Sequence, residues 1–381
     1  MKRPLRIAWL GHQSARAGDG LITYSRETVA ALRARGLEVV FVHHGQPPGD
    51  REHEVALRSL TGSHRYIISS PRTRRTISEL IRGEGIDLVH ISLSFSTSVD
   101  FRLPELCHEL GVPAVATFHV PYDSRLSLWQ GISKTIYRVY AQSLASYDRV
   151  VIFSQQQKAL LSQVGVPAQR VEVVHNGVDV DKYRPGPSPI KARLGANRLV
   201  GYLGRIDPEK NVESLNRAFN DLDLPADTHL LVVGHGSDRR RLERRYASRQ
   251  VHFAGQVSEE TQRIAMLRAM DVFVLPSAVE GLSLSLLEAM ACGAPTVATD
   301  VGSDGEALLG AGLVLDPREL DGQLRLALRT LLEFPEFRIE LGRLARARIL
   351  ERYSLDQTID RLLDIYSELT GYATLPALVK R

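Results

Sequence analysis

The sequence predicts an α/β protein of two domains, each a parallel sheet covered by helices. Three observations predict this: short apolar runs alternate with helical patterns, the alternation restarts near residue 199, and a proline- and glycine-rich stretch, Arg184–Pro189, precedes the restart. Strands separated by helices form parallel sheets, because a parallel pair needs a long crossover. A chain of 381 residues also exceeds what one hydrophobic core usually serves.

In the first half, apolar runs predict strands and a 3.6-residue periodicity predicts helices. The predicted strands are Leu5–Leu10, Glu38–Val42, Asp87–Ile91, Ala114–Phe118, Arg149–Phe153 and Val171–Val174. The predicted helices are Leu21–Arg35, Thr73–Arg82, Phe101–Leu110, Leu126–Ser146 and Gln155–Val164. The segment Gly45–Ser63 is polar, contains Pro-Pro-Gly and lacks periodicity, so we expect a mobile loop there.

The second half repeats the alternation and completes a second Rossmann-like domain. Its predicted strands are Leu199–Leu203, His229–Val233, Val251–Phe253, Val272–Leu275 and Thr296–Ala298. Its predicted helices are Val212–Phe219, Asp238–Ala247, Glu259–Ala269 and Leu284–Ala291. A capped amphipathic run near the end of the chain, Ser354–Leu369, predicts a final helix.

Composition narrows the class of protein. Hydrophobic residues make up 44% and charged residues 24%, as in ordinary globular proteins. The sequence has no apolar run of about 18 residues and no signal-peptide pattern, so we expect a cytoplasmic protein without a membrane span. The two cysteines, Cys107 and Cys292, lie in apolar helical contexts, which argues against a disulfide framework or a metal site. A net charge of +4 is small for tracking nucleic acid, and no nucleic-acid motif appears.

Two glutamates bracket the most informative loop. Glu280 follows a predicted strand, at the edge where open α/β sheets bind ligands. Ser283 is placed to cap the next helix, whose first N–H groups form an anion site. Glu288 lies within that helix, about 8–12 Å from Glu280 at ~1.5 Å rise per residue. A carboxylate, an anion pocket and a second carboxylate match the sugar, diphosphate and ribose of a nucleotide sugar.

A second loop supplies cations. Gly204 permits a tight turn after the first strand of the second half, and Arg205 and Lys210 project from the loop that follows. Arginine offers a planar fork to phosphate oxygens and lysine a compact charge. The alternative is a surface loop with solvated charges. Beside the glutamate pair we favour phosphate binding, because a diphosphate in a cleft requires compensating charge.

Taken in order, four motifs resemble the large retaining glycosyltransferase family 4: Gly204-Arg-Ile-Asp-Pro-Glu-Lys210, Val233-Gly-His-Gly236, Phe253-Ala-Gly-Gln-Val257 and the stretch from Glu280-Gly-Leu-Ser to Pro295. The resemblance covers nearly the whole chain. It implies the GT-B fold, two Rossmann-like domains facing each other across a cleft. Residues 1–183 would form the acceptor-side domain, with the C-terminal helix 354–381 packing back onto it, and residues 191–353 the nucleotide-sugar-binding domain.

The resemblance also implies roles for residues. Arg205 and Lys210 would hold the diphosphate, Glu288 the ribose hydroxyls and Glu280 the donor sugar. Such enzymes usually need no divalent metal, so we expect no metal and no cofactor beyond the nucleotide sugar as co-substrate. The remaining expected donor contacts are Gly20, Gly204, Gly234, Gln256, Val257, Gly281, Leu282 and Ser283.

On the acceptor side, His119 ends the predicted strand Ala114–Phe118, where a histidine can hydrogen-bond a sugar hydroxyl. A strand-end histidine is more often structural, but the family carries one here, so by resemblance we expect a catalytic role. The family also shows Gly-Gly where this chain has Asp19-Gly20. Asp19 either caps the first helix or lies near the acceptor.

Two basic features indicate a possible membrane surface. Arg72, Arg74 and Arg75 begin a helix, where cations oppose the helix dipole and do not serve helix stability. The segment 125–138 mixes basic with apolar and aromatic residues, as interfacial helices do. The alternative is an amphipathic helix packed on the sheet. The stretch Ala116-Thr-Phe-His119, followed by Ser127-Leu-Trp-Gln-Gly-Ile132, resembles bacterial phosphatidylinositol mannosyltransferases, and the arginine-rich helix lies where those enzymes have a basic membrane-binding helix. By this resemblance we expect a lipid head group as acceptor, at the inner face of the cell membrane.

The sequence thus predicts a hexosyltransferase that moves a hexose from a nucleoside diphosphate sugar to an acceptor hydroxyl. One alternative keeps the donor chemistry but uses a soluble acceptor: a sugar phosphate, inositol phosphate, malate or a polysaccharide end. Another is a non-catalytic nucleotide-sugar-binding protein. The nucleobase and the sugar stay open, because backbone contacts and variable loops select them.

Overall fold

The computed structural model describes residues 3–12, 20–44, 53–62, 67–93, 99–121 and 127–372. Two compact units make up the chain, as far as its residues are described. The first comprises Met1–Val120, Ser124–His175 and Leu355–Arg381, and the second Pro121–Asp123 and Asn176–Ser354. Each has its own parallel sheet, which confirms the predicted α/β class with two domains.

The first unit is built on a seven-stranded parallel sheet with the order β3-β2-β1-β6-β7-β8-β9. The strands of this unit, which include two outside that sheet, are β1 Arg6–His12, β2 Glu38–His44, β3 Glu54–Leu57, β4 Ser59–Gly62, β5 Ile67–Ser69, β6 Leu88–Leu93, β7 Ala114–Phe118, β8 Arg149–Ile152 and β9 Val171–Val173. The helices between them are α1 Gly20–Ala34, α2 Thr73–Gly83, α3 Val99–Glu109, α4 Ser127–Leu144 and α5 Gln155–Gln163. Strands β4 and β5 form a separate antiparallel hairpin.

The second unit has a six-stranded parallel sheet with the order β12-β11-β10-β13-β14-β15. Its strands are β10 Arg198–Leu203, β11 Thr228–Val233, β12 Val251–Gly255, β13 Val272–Leu275, β14 Thr296–Thr299 and β15 Leu313–Leu315. Its helices are α6 Ile190–Leu194, α7 Val212–Asn220, α8 Arg239–Tyr246, α9 Glu260–Ala269, α10 Leu284–Ala291, α11 Asp304–Leu308, α12 Leu320–Glu333 and α13 Pro335–Arg352. The order reverses between β10 and β13, the kind of switch point at which open sheets bind ligands.

The central strands are largely buried because helices cover both faces of each sheet. Every residue of β6, β11 and β13 is buried. Strands of this kind read as continuous apolar runs, which is why the sequence revealed them.

The last helix, α14 Leu355–Thr370, belongs to the first unit. Arg35 at the end of α1 pairs with Asp356 at 3.0 Å and Asp360 at 2.5 Å. Deeper in the unit, the Tyr366 hydroxyl is hydrogen-bonded to Nδ1 of His90 at 2.5 Å. The returning helix is therefore fixed both at the surface and in the core of the first sheet.

The expectation of a loop throughout Gly45–Ser63 is wrong for part of the segment. Glu54–Leu57 is the edge strand β3, paired parallel to β2, and Ser59–Gly62 is strand β4. The apolar run of β3, Val55–Leu57, is only three residues long, and three of the four strand residues are half-buried because an edge strand is only partly covered. Residues 45–52 and 63 lie outside the described residues.

Candidate active site

The site in the second unit begins where two strands end in glycine. The N–H of Gly204, after β10, donates to the carbonyl of Val233 at 3.0 Å, and that of Gly234 to the carbonyl of Gly255 at 2.8 Å. Gly234 has a φ of +142°, and a methyl group on it would overlap the carbonyl oxygen of Gly204. Only glycine fits there, so the two loops pack backbone against backbone at the switch point.

Lys210 and Glu280 meet beside these loops. Nζ of Lys210 lies 2.6 Å from Oε1 of Glu280, and their side chains are only 10% and 13% exposed. The same Oε1 accepts a hydrogen bond from Oγ of Ser277 at 2.8 Å. Lys210 Nζ also donates to the carbonyl of Val279 at 3.4 Å. A lysine ammonium carries three N–H donors, so these contacts leave one for an anionic ligand.

Local backbone structure holds this pair in place. Pro208–Lys210 is a 3₁₀ turn that begins with proline and ends at Asn211, whose φ is +48°. The carbonyl of Glu209 accepts the N–H of Ala278 at 2.8 Å, which ties the turn to the loop that carries Glu280. The two partners are therefore fixed by backbone on both sides, which limits the entropy cost of the ion pair.

Arg205, which we expected to project towards a diphosphate, is paired with carboxylates of its own loop. Its guanidinium pairs with Asp207 at 2.5 Å and Glu209 at 3.0 Å, both in its own loop, and its side chain is 52% exposed. Asp207 also accepts the N–H of Ser237 at 2.8 Å. A role of Arg205 in diphosphate binding stays a prediction, and it requires the guanidinium to exchange these carboxylates for phosphate oxygens.

The loop Glu280–Ser283 leads into α10. Ser283 occupies the N-cap position, but its hydroxyl lies 3.1 Å from the Ser285 hydroxyl and makes no capping bond. The expectation that the Ser283 side chain caps the helix is therefore wrong. Its backbone N–H donates to Oδ1 of Asp304 at 2.8 Å, so this N–H is not available to an anion. Leu282 is buried, and the Gly281 carbonyl accepts the N–H of Ser303 at 2.6 Å.

The other predicted donor residues of this unit are spread over two elements. Glu288 is buried on α10 and lies near Tyr183, whose pKa is raised by burial and then by the Glu288 charge. Gln256 is exposed and Val257 half-buried in the loop after β12. Their predicted contacts with ribose and nucleobase stay predictions.

In the first unit, His119 directly follows β7 and is half-buried. Its Nε2 is hydrogen-bonded to Oγ of Ser92 at 2.8 Å, and the Tyr24 ring lies edge-on to it with centroids 4.7 Å apart. Burial raises the pKa of Tyr24 to about 12, so that ring stays neutral. The imidazole is thus held by a hydroxyl and an aromatic edge, an orientation suited to hydrogen bonding.

Gly20 is the exposed first residue of α1, and a methyl group on it would meet nothing within 4 Å. No contact with a described residue requires glycine at this position. Asp19 lies outside the described residues.

The structure thus brings Lys210, Glu280 and Ser283 together in the second unit, and places His119 and Gly20 in the first. Sequence reasoning missed two contributors, Ser277 and Asp304. Ser277 follows a strand-ending proline, and Asp304 follows the next strand, β14. A search for polar residues after every predicted strand would have found both.

The basic features on the acceptor side are partly neutralised. Arg74 pairs with Glu109 at 2.5 Å and Arg75 with Glu79 at 2.7 Å. On α4, Tyr137 and Tyr140 are buried and Arg138 is exposed. Residue 125 and the side chains of 127–134 lie outside the described part. No helix among the described residues is long and apolar enough to cross a membrane, and no group of three or more metal-ligating side chains occurs among them.

Comparison with known families agrees with this geometry. Residues 18–182 match the model of Glycosyltransferase Family 4, and residues 197–333 match that of Glycosyl transferases group 1. The chain is 28% identical to a D-inositol 3-phosphate glycosyltransferase of Gordonia bronchialis, over 96% of this chain and 88% of that one. It is 28% identical to a GDP-mannose-dependent alpha-mannosyltransferase of Mycolicibacterium smegmatis, over 98% of this chain and 100% of the relative.

Solved structures share the fold. Sucrose-phosphate synthase from Thermosynechococcus elongatus superposes with a TM-score of 0.78 at 22% identity, covering 97% of this chain and all of that one. Anabaena HepE in complex with UDP-glucose gives a TM-score of 0.75 at 18% identity, covering 96% and 100%. At these identities the likeness establishes the architecture alone.

Proposed function

Because its two halves match these models, the chain belongs to the group 1 and family 4 glycosyltransferases with the GT-B fold, and we propose that it transfers a hexose with retention of configuration. As a member of that group it is a glycosyltransferase with a nucleotide-sugar donor. The observation that carries the proposal is the buried Lys210–Glu280 pair at the switch point of the second sheet. It sets one cation and one carboxylate side by side, as a diphosphate and its sugar require.

The transfer breaks the bond between donor C1 and the diphosphate oxygen. Lys210 stabilises the charge that develops on the leaving diphosphate, and Arg205 joins it after exchanging Asp207 and Glu209 for phosphate oxygens. Glu280 accepts hydrogen bonds from the sugar hydroxyls and fixes the ring. The acceptor oxygen bonds to C1 from the face that the diphosphate leaves, and its proton passes to a phosphate oxygen.

His119 orients the sugar in this proposal. A sugar hydroxyl would hydrogen-bond this imidazole, whose Nε2 lies 2.8 Å from Oγ of Ser92. The cations Lys210 and Arg205 replace the divalent metal that other glycosyltransferases place on the diphosphate. Activity that survives a chelator, and is not raised by added Mg²⁺ or Mn²⁺, supports this; loss of activity on chelation contradicts it.

The donor is tested first by thermal shift with UDP, GDP, ADP and their hexose conjugates. We expect one nucleobase to raise the melting temperature, and the corresponding sugar nucleotide to be turned over. Slow hydrolysis of the donor without acceptor separates the enzyme from a non-catalytic binding protein. Binding with neither hydrolysis nor transfer, across acceptors, would contradict the proposal.

A membrane lipid head group is the acceptor that we propose first. A specific surface of the first unit favours it: Leu60 and Ile68 on the β4–β5 hairpin are 66% and 45% exposed. Arg58 at the start of the hairpin and Arg72 before α2 are exposed beside it in sequence. Exposed apolar side chains among cations fit an anionic lipid interface. The enzyme would then work peripherally, at the inner face of the membrane.

A soluble phosphorylated polyol is the second candidate, because one of the relatives named above is a D-inositol 3-phosphate glycosyltransferase. Co-sedimentation with liposomes separates the two. We expect recovery with anionic vesicles to exceed that with neutral ones, and Leu60→Ser with Arg72→Ser to abolish the difference. Equal recovery with both vesicles, together with transfer to inositol phosphate, would favour the soluble acceptor.

A further inference from the structure

A third carboxyl group lies beneath the proposed donor site. Asp304 is the first residue of α11 and is completely buried. Its Oδ1 accepts the backbone N–H of Ser283 at 2.8 Å. Its Oδ2 is buried and has no hydrogen-bond partner among the described residues. The donor mechanism above makes no use of this side chain.

The residues before Asp304 hold the same loop. The N–H of Ser303 donates to the carbonyl of Gly281 at 2.6 Å. Gly302 has a φ of +56°, and a methyl group on it would overlap the carbonyl oxygens of Glu280 and Gly281. We call Gly302–Asp304 the loop cradle. It contacts the loop that carries Glu280 through one close backbone approach and two hydrogen bonds.

Charge at the cradle is unbalanced if Asp304 is ionised. Lys210 is the cation that acts on Asp304 among the residues that the structure describes, and its ammonium pairs with Glu280 at 2.6 Å. A second buried carboxylate beside that pair would have no cation of its own, and its Oδ2 would lack even a hydrogen bond. Burying an unpaired charge is strongly unfavourable. A neutral carboxylic acid avoids this cost and still offers Oδ1 to Ser283.

We propose that Asp304 is a positioning residue that holds the donor loop Glu280–Ser283 through the Ser283 N–H, and that it does so as a neutral carboxylic acid. A neutral group keeps the loop in place without opposing the negative diphosphate. This inference rests on the proposed function, since the loop is taken to be the donor loop.

The electrostatic surroundings support the neutral form. Burial, and after it the Glu280 charge, raise the pKa of Asp304 well above its ordinary value, while the Ser283 hydrogen bond and Lys210 act the other way. Among the described residues, the charged groups around Asp304 are Lys210, Glu280, Asp300 beside Gly305, Glu306 on the same helix, and Arg348, which donates to the carbonyl of Glu306 at 3.2 Å. A bound diphosphate adds negative charge and favours the neutral form further.

The first test needs no substrate. If the native protein keeps the proton that the unfolded chain loses near pH 4, stability falls as the pH rises above that value. Asp304→Asn lacks this dependence. The quantity to follow is the ratio of the parent's equilibrium constant for unfolding to that of Asp304→Asn, measured by urea unfolding between pH 5 and pH 9. This ratio should rise with pH, by up to about tenfold per pH unit. A ratio that stays constant, or falls, would overturn the neutral form.

Asp321→Asn is the matched control. Asp321 pairs with Arg217 at 2.6 Å at the surface, and the hydrogen bond from Arg217 lowers its pKa. It is ionised in native and unfolded chains alike above pH 5. The control ratio should therefore be flat across the same range.

The second test is catalytic and uses the sugar nucleotide that the thermal-shift panel identifies. Asp304→Asn keeps an acceptor for Ser283 and should retain kcat/KM within about threefold at neutral pH. Asp304→Ala removes the acceptor and should lower kcat/KM tenfold or more. At alkaline pH the parent should lose kcat/KM faster than Asp304→Asn. Equal losses in the two variants, or none in Asp304→Ala, would overturn the positioning role.

Failure of the proposed function and failure of this inference give different results in the two tests. If no sugar nucleotide is turned over by the parent, the proposed function fails, and the urea experiment still decides whether Asp304 is neutral. If transfer occurs but the unfolding ratio is flat, the inference fails alone.

Discussion

Lys210 and Glu280, seventy positions apart in the chain, form an ion pair of 2.6 Å whose two side chains are almost fully buried. Each side chain balances the other's charge before any ligand arrives. Removing one partner leaves the other buried without compensation, whereas removing both does not. Stability and turnover should therefore respond differently to single and double substitutions.

Lys210→Met and Glu280→Gln should each lower turnover by roughly 100- to 1,000-fold, because each loses a group that stabilises the transition state. Each single variant should also lose about 3 kcal/mol of unfolding free energy. The double variant should regain part of that stability and none of the turnover. Urea unfolding and steady-state kinetics on the three variants measure this, and a single variant with parental turnover would contradict the site.

Glu209→Gln should strengthen donor binding. Glu209 pairs with Arg205 at 3.0 Å and competes with phosphate for its guanidinium. We expect the KM for the sugar nucleotide to fall about two- to fivefold at low salt, with a smaller change at high salt. An Arg205→Ala, Glu209→Gln double variant is the control and should show no such gain. A KM that Glu209→Gln leaves unchanged would place Arg205 outside the donor site.

Gly234→Ala should destabilise the second unit by several kcal/mol, because the added methyl overlaps the Gly204 carbonyl and the φ of +142° suits glycine. Gly20→Ala provides the contrast, since nothing lies within 4 Å of its added methyl. There we expect unchanged stability and reduced transfer if a ligand approaches the backbone. Thermal unfolding and an activity assay on both variants check this; a Gly20→Ala enzyme with full activity would argue against ligand contact at Gly20.

The buried His90 should make the protein sensitive to acid. Burial lowers its pKa to about 3, below the ordinary value of 6.5. Between those values the unfolded chain binds a proton that the native chain does not, so stability falls as the pH drops from about 6.5 towards 3. In His90→Gln, the free energy of unfolding should change less steeply with pH, by the equivalent of up to one proton taken up on unfolding. Urea unfolding from pH 4 to pH 7 measures this slope.

His108→Gln, a change at a histidine whose side chain is 47% exposed on α3, is the control for that experiment. It measures what the loss of a histidine outside the core, hydrogen-bonded to Asp148 at 3.1 Å, does to the same curve. An unaltered dependence in His90→Gln would mean that His90 is protonated in the native protein.

The sequence predicted the elements with the strongest local signals. The strands around Val272–Leu275 and Ala114–Phe118 are continuous apolar runs, and the structure has them at the same limits. The edge strand Glu54–Leu57 was missed because its apolar run, Val55–Leu57, is only three residues long. Helix α11 has five residues, too few to show a helical periodicity. Helix α13 was not predicted because its apolar residues are not gathered on one face. Helix α12 was not predicted although its buried residues follow the helical period.

The sequence allowed us to predict which residues belong to the candidate site, but not which of them contact each other. Glu280 and Lys210 could be assigned to one site, but their direct pairing depends on two loops meeting in space. The arrangement of Arg205 was missed because Asp207 and Glu209 read as loop residues, not as its partners. Asp304 gave no sequence signal of burial, because an aspartate at a helix start is ordinarily solvated.

The contact between Tyr366 and His90 spans 276 positions, and the whole second unit lies between its partners in the chain. During synthesis the ribosome therefore completes the second unit before it makes the helix that the first unit needs. The part of the first unit made before the second unit therefore stays without α14 until that helix emerges. A substitution that weakens α14 should for this reason affect the first unit, although the helix follows the second unit in the chain.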